Sequence, residues 1–102
     1  MKDQTKGKIV QIVRMKSELS EEEILKISME REPQYKALLG LLQKYYVKFK
    51  STGEYGGIYI WDSVQSMNKF RESELAASIP KKYKAIGSPA IEIVDILFQL
   101  KK

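Results

Sequence analysis

The β-type stretches of this chain are apolar on both faces, and that feature constrains its fold more than any other. Ala90 to Leu100 (AIEIVDILFQL) reads as a strand with Ala90, Val94, Ile96, Phe98 and Leu100 on one face, while the other still carries Ile91, Ile93 and Leu97. Successive residues of a strand point to opposite sides, so alternation separates the two sets. Lys8 to Lys16 (KIVQIVRMK) divides in the same way, with Val10 and Ile12 against Ile9, Val13 and Met15. Tyr55 to Trp61 (YGGIYIW) sets Ile58 and Ile60 against Tyr59 and Trp61. A sheet with one solvated face alternates apolar with polar. These strands therefore predict a sheet covered on both sides.

The chain supplies little to cover it. Leu19-Ser20-Glu21-Glu22-Glu23-Ile24 is a helix start: Ser20 is the N-cap, Glu23 closes a capping box, and Leu19 and Ile24 occupy the staple positions. Ile24, Leu25, Ile27 and Met29 carry that helix to about Arg31, and Pro33 stops or kinks it. Leu41 to Lys50 (LLQKYYVKFK) reads as a second strand, joined through Ser51-Thr52-Gly53-Glu54 to the third at Tyr55–Trp61. Asp62 or Ser63 caps a second helix carrying Val64, Met67 and Phe70, which fades before Pro80. A short helical turn from Lys81 to Ile86 ends at Gly87-Ser88-Pro89, ahead of the fourth strand at Ala90–Leu100 and a solvated Lys101-Lys102 tail.

The order is β-α-β-β-α-β, an α+β ferredoxin-like arrangement with a four-stranded antiparallel sheet, read as one domain over residues 1–102. Two helices cover one sheet face. A second copy packed sheet to sheet covers the other, which predicts a homodimer.

Composition excludes several functions. The 102 residues contain no Cys and no His, which removes disulfides, thiolate nucleophiles, zinc ribbons, imidazole bases and His-ligated haem. No apolar run approaches the ~18–20 residues that span a bilayer, and Met1-Lys2-Asp3-Gln4-Thr5-Lys6 lacks a signal-peptide core, so a cytoplasmic protein without a membrane partner is expected. The net charge of +5 is spread over lysines at both termini, in strand two and at Lys81-Lys82, as suits solubility.

Three stretches carry a family resemblance: Gly40-Leu41-Leu42-Gln43-Lys44-Tyr45-Tyr46 entering strand two; Gly56-Gly57-Ile58-Tyr59-Ile60-Trp61-Asp62-Ser63 leading into the second helix; and Tyr83 followed by Gly87 and Pro89. With the element order, they make the chain resemble the mono-oxygenases of the dimeric α+β barrel superfamily, which includes the antibiotic-biosynthesis mono-oxygenases. The resemblance implies a dimer whose two sheets form a barrel, with a pocket between each sheet and its own helices. It implies oxygenation of a small phenolic or enolisable aromatic compound without metal, haem or flavin, so no cofactor is expected. Many relatives have a His nine positions after the Trp that ends strand three. Here that position is Phe70, which argues against haem degradation and leaves the base unassigned.

Such a reaction needs an apolar, water-poor cavity with a few inward polar groups. Tyr45, Tyr46, Tyr59, Tyr83 and Trp61 can supply walls and donors, and Gln11, Asn68 and Arg71 polar groups. The candidate substrate-binding set is Trp61, Tyr59, Tyr46, Asn68 and Arg71, with the pocket bordered by Trp61 and Tyr59 and with Gly57 leaving room beside them. No metal site is expected. Structural readings stand beside each: Trp61 as an aromatic clamp between helix and sheet, Phe70 as core, and Arg71 paired with Glu74. Gly56-Gly57 opens a strand, which marks a bulge or a close backbone approach and not a phosphate loop.

Two other functions compete with the oxygenase: a homodimer that binds a small molecule without chemistry or is purely structural, and an RNA-binding platform of the RRM type, which shares the element order. Against the latter, Glu54-Tyr55-Gly56-Gly57 lacks the Lys/Arg-Gly lead and puts glycine where an aromatic would stack, so no nucleic-acid partner is expected.

Overall fold

A computed structural model describes residues 8–101; the N-terminal hexapeptide and Lys102, both assigned roles from sequence, lie outside the described residues. The elements run β1 (Ile9–Ser17), α1 (Glu21–Glu30), α2 (Glu32–Lys36), β2 (Leu41–Lys48), β3 (Tyr55–Trp61), α3 (Val64–Arg71), α4 (Glu74–Ala77), α5 (Ile79–Lys82) and β4 (Ala85–Asp95). The four strands form one antiparallel sheet in the order β2-β3-β1-β4, the ferredoxin-like α+β fold read from the sequence.

Local chemistry explains most boundaries. At the start of α1 the Ser20 hydroxyl accepts from the Glu23 N–H, while Glu23 accepts from the Ser20 N–H, so two amides that have no partner within the helix are satisfied together. Pro33 kinks rather than ends the helical segment. It sits in the first turn of α2, where its missing N–H costs nothing, and the chain turns at Arg31. The second helical segment is broken where a single helix was expected. Ser63 caps α3, Ser73 caps α4 through the Ala76 N–H, and Pro80 lies in the first turn of α5, so the last helical turn is Ile79–Lys82 and not Lys81–Ile86.

The largest correction concerns β4. It begins at Ala85, five residues before the expected start, and ends at Asp95. Ser17 and Lys16 pair with Ala85 and Ile86, and the ladder resumes at Arg14–Ala90. The intervening Gly87-Ser88-Pro89 loops out as a bulge opposite Met15, with Gly87 at φ 76°. The turn signal thus marks a bulge inside a strand already under way. At the other end Leu97, Phe98 and Leu100 lie outside the strand and are exposed.

The side of the sheet carrying Ile9, Gln11, Val13, Met15, Gly57, Tyr59 and Trp61 is buried against Ile24, Tyr35, Met67, Phe70, Ile79 and Tyr83. Ile91 and Ile93 share that side through their pairing with Val13 and Gln11. On the edge strand, however, they escape the helices and stay exposed. The opposite face carries Val10, Ile12, Ile58 and Ile60 half-buried, with Tyr45 and Val94 exposed. The apolar second face is therefore real, and no element among the described residues packs into it.

Candidate functional site

A cavity of about 300 Å³ lies between the helix-facing side of the sheet and the helices. Val13 and Met15 of β1, Gly57 and Tyr59 of β3, and Lys44 and Tyr46 of β2 form its floor; Ile24 and Ser28 of α1, Tyr35 of α2, Ile79 of α5 and Tyr83 form its roof. At its rim Lys48 Nζ meets Glu21 Oε1 at 3.3 Å, tying β2 to the first turn of α1.

The floor follows from strand alternation. Lys44, Tyr46 and Lys48 pair with Tyr59, Gly57 and Tyr55 and share their face, so the neighbouring Tyr45 turns to the opposite face. The paired glycines provide close approach and no bulge, since the β1–β3 register is unbroken here. A Cβ on Gly56 would run into the carbonyl oxygen of Val13, and one on Gly57 would sit 3.0 Å from Lys44 Cε and 3.1 Å from Tyr59 Cε1. Gly57 thus leaves the space through which the lysine stem crosses the sheet surface.

Lys44 dominates the electrostatics. Its Nζ lies 3.5 Å from the ring centre of Tyr35, 4.3 Å from Tyr46 and 4.5 Å from Tyr59. Among the described residues it makes no ion pair and no side-chain hydrogen bond, whereas Lys36 and Lys48 pair with Glu32 and Glu21. Burial, with the Arg31 charge added, pushes the ammonium down to about 7. Arg31 is itself buried. Its Nη2 donates to Ser78 Oγ at 2.8 Å and to the Leu75 carbonyl at 3.4 Å, and its Nε finds no acceptor. The Tyr35 hydroxyl is also buried and meets no well-aligned hydrogen-bond partner among the described residues, though it stands close enough to the Tyr59 phenol to help raise it. Two cations and a buried hydroxyl therefore cluster in an apolar setting with no carboxylate salt-bridged to either cation among the described residues.

The other phenols are donors and not bases at neutral pH. Burial raises the Tyr46 hydroxyl to about 12 and that of Tyr59 well above its ordinary value. Burial also raises Tyr83, partly opposed by its 2.8 Å hydrogen bond with Ser28.

Of the residues singled out from sequence, Tyr59 and Tyr46 line this cavity together. Trp61 does not border it, contrary to expectation. It is fully buried further along β3, stacked 6.1 Å from Tyr59 and packed 5.4 Å from Phe70, and its Nε1 donates to Gln11 Oε1 at 2.9 Å. Of the Tyr59 and Trp61 rings, the one that closes on Gly57 is that of Tyr59. Asn68 and Arg71 are exposed and border no part of the cavity; Arg71 makes no ion pair with Glu74, because the helix breaks between them. Lys44 and Tyr35 did not emerge from sequence. The readable signal for Lys44 is its position two before Tyr46 on the face shared with Tyr59. Tyr35 lies beyond Pro33, where the helical pattern had been taken to lapse.

No protein-family model matches this chain, and no curated protein matches it. Solved structures do. A protein of unknown function from Nitrosomonas europaea matches with a TM-score of 0.75 at 17% identity, over 93% of this chain and 94% of that one. SnoaB, a cofactor-independent oxygenase from Streptomyces nogalater, matches with a TM-score of 0.74 at 8% identity, over 94% and 99%. A candidate antibiotic-biosynthesis monooxygenase from Caulobacter crescentus matches with a TM-score of 0.72 at 17% identity, over 91% and 92%. The chain thus has, over nearly its whole length, the fold of the antibiotic-biosynthesis monooxygenase-like proteins.

Proposed function

We propose that this protein is a cofactor-independent mono-oxygenase acting on a small phenolic or enolisable aromatic compound in the cavity between sheet and helices, and that it works as a homodimer. The observation that carries the reading is the Lys44 amine, held over three tyrosine rings, salt-bridged to no carboxylate among the described residues and brought to about 7 by burial. It supplies the base that the absence of His leaves unassigned. Neutral Lys44 takes a proton from the substrate's O–H or activated C–H, and the resulting ammonium stays beside the anion, with the Arg31 charge outside the cavity lining, 6.0 Å from the Tyr35 ring centre. The electron-rich carbon then forms a C–O bond with dioxygen. Loss of water from the peroxide converts CH2 to C=O, so one oxygen atom enters the product, the other leaves as water, and all the electrons come from the substrate. Tyr59 and Tyr46 form walls and donate hydrogen bonds, and Trp61 positions Tyr59 by stacking.

The test is oxygen uptake by purified protein with a panel of phenols and 1,3-diketones, in the presence of a strong metal chelator. Uptake is expected with at least one compound, falling by roughly two orders of magnitude in a folded Lys44→Met variant. Compounds that bind without oxygen uptake would reduce the protein to a binding module. The homodimer is supported by Val10, Ile12, Ile58 and Ile60 on the sheet face that no helix covers. Light scattering after size exclusion is expected to give twice the 11.8 kDa chain mass, and Ile58→Asp to yield monomer; wild-type protein running as monomer would end the barrel reading.

A further inference from the structure

We propose that Lys44 is also a covalent nucleophile, whose amine condenses with the carbonyl of a small aromatic aldehyde or ketone in the cavity to form an imine. This activity uses the same cavity as the oxygenation reading but needs neither dioxygen nor a dimer.

The geometry is that of an amine kept available for reaction. Lysines on protein surfaces are protonated and solvated, and carboxylates often hold them so. Lys44 instead lines a cavity large enough for a single-ring compound, and among the described residues no carboxylate or hydrogen-bond acceptor fixes its proton. Desolvation and the neighbouring Arg31 cation favour the neutral, nucleophilic amine. The rings of Tyr35, Tyr46 and Tyr59 surround Nζ and form an aromatic surface on which a planar carbonyl compound can stack.

The step balances without a further reactant. The nitrogen lone pair adds to the carbonyl carbon, giving a carbinolamine. Both amine protons then leave with the carbonyl oxygen as water, and the C=N bond remains. The Tyr35 hydroxyl, buried on the cavity wall and without a well-aligned hydrogen-bond partner among the described residues, is a donor available to the departing hydroxyl. Gly57 positions the nucleophile, because a methyl group there would press on Lys44 Cε.

The test is reductive trapping under anaerobic conditions. The whole protein is incubated with 4-hydroxybenzaldehyde and sodium cyanoborohydride between pH 5 and 10, and labelled lysines are located by peptide mass spectrometry. At pH 7 Lys44 is expected to label at least about tenfold faster than any other lysine, with its rate half-maximal near pH 7 and theirs still climbing at pH 9. Lys44→Arg should abolish that adduct. Gly57→Ala, whose tight contacts are a flexible side chain and a ring edge, should slow Lys44 labelling while leaving surface lysines unchanged. Labelling of Lys81 or Lys101 as fast as Lys44 would overturn the proposal, as would a Lys44 rate indifferent to Gly57→Ala in a folded variant. Trapping without oxygen uptake would remove the oxygenase reading and keep the imine; uptake without trapping would do the reverse.

Discussion

Gln11 and Trp61 are both fully buried, and the 2.9 Å bond from the indole N–H to the carboxamide oxygen joins β1 to β3 on the helix side. Trp61→Phe keeps most of the ring but strands the Gln11 oxygen in an apolar interior. We expect a loss of about 2–4 kcal/mol in denaturant unfolding, from the unsatisfied acceptor and the missing ring volume. Trp61→Phe combined with Gln11→Leu should be more stable than the sum of the two single changes, since neither partner is then left unpaired. Lys44 makes a second residue-scale prediction. Its folded pKa of about 7 lies below the ordinary 10.5, so between those values the unfolded chain binds more protons than the folded one. Stability should therefore rise with pH from about 7 towards 10. Above about 10 the sign reverses, because Tyr46, Tyr59 and Tyr83 keep protons in the folded state that free tyrosines release. Melting curves across that range should show the rise in wild type, with the rise reduced in Lys44→Met. The general relief of charge repulsion near the isoelectric point remains in both proteins and serves as the control.

Elements that depend on neighbours in sequence were legible, and those that depend on distant partners were not. The α1 capping box needs only Ser20 and Glu23, and it forms as read. Ser20→Ala should cost about 1 kcal/mol by chemical denaturation, most of it recovered by Ser20→Asp, which keeps an acceptor at the cap. The β4 boundary was misplaced because Gly87-Ser88-Pro89 carries every local sign of a loop. Only the pairing of Ser17 and Lys16 with Ala85 and Ile86 shows that the strand has already begun. The second helical segment was read as one helix because Val64, Met67 and Phe70 keep helical spacing. The breaks after Arg71 and Ala77 come from Ser73 and Ser78 bonding back to the Phe70 and Leu75 carbonyls.

At the scale of the whole molecule, the element order, the apolar second face and a pocket between sheet and helices could be read from the sequence, whereas the roof of that pocket could not. The roof depends on the angle at which α2 leaves Arg31, and that angle brings Tyr35 over Lys44. The floor and roof are also built unequally. The floor is a hydrogen-bonded ladder in which β1 pairs with β3 from Ile9 to Met15 and with β4 on both sides of the Gly87–Pro89 bulge. The roof consists of helices of ten, five and four residues, cross-linked by the Ser28–Tyr83 and Arg31–Ser78 side-chain bonds. Helices this short hold few backbone bonds of their own, so opening is far cheaper for the roof than for the sheet. Hydrogen–deuterium exchange should therefore separate into two populations: amides of α2, α4 and α5 exchanging early, and those of β1 and β3 exchanging only with global unfolding. Transient roof opening would then widen the mouth of this partly open cavity and speed the entry of a small molecule. Its arrival rate should follow the early-exchanging population and rise in Ser28→Ala, which removes one cross-link without touching the floor.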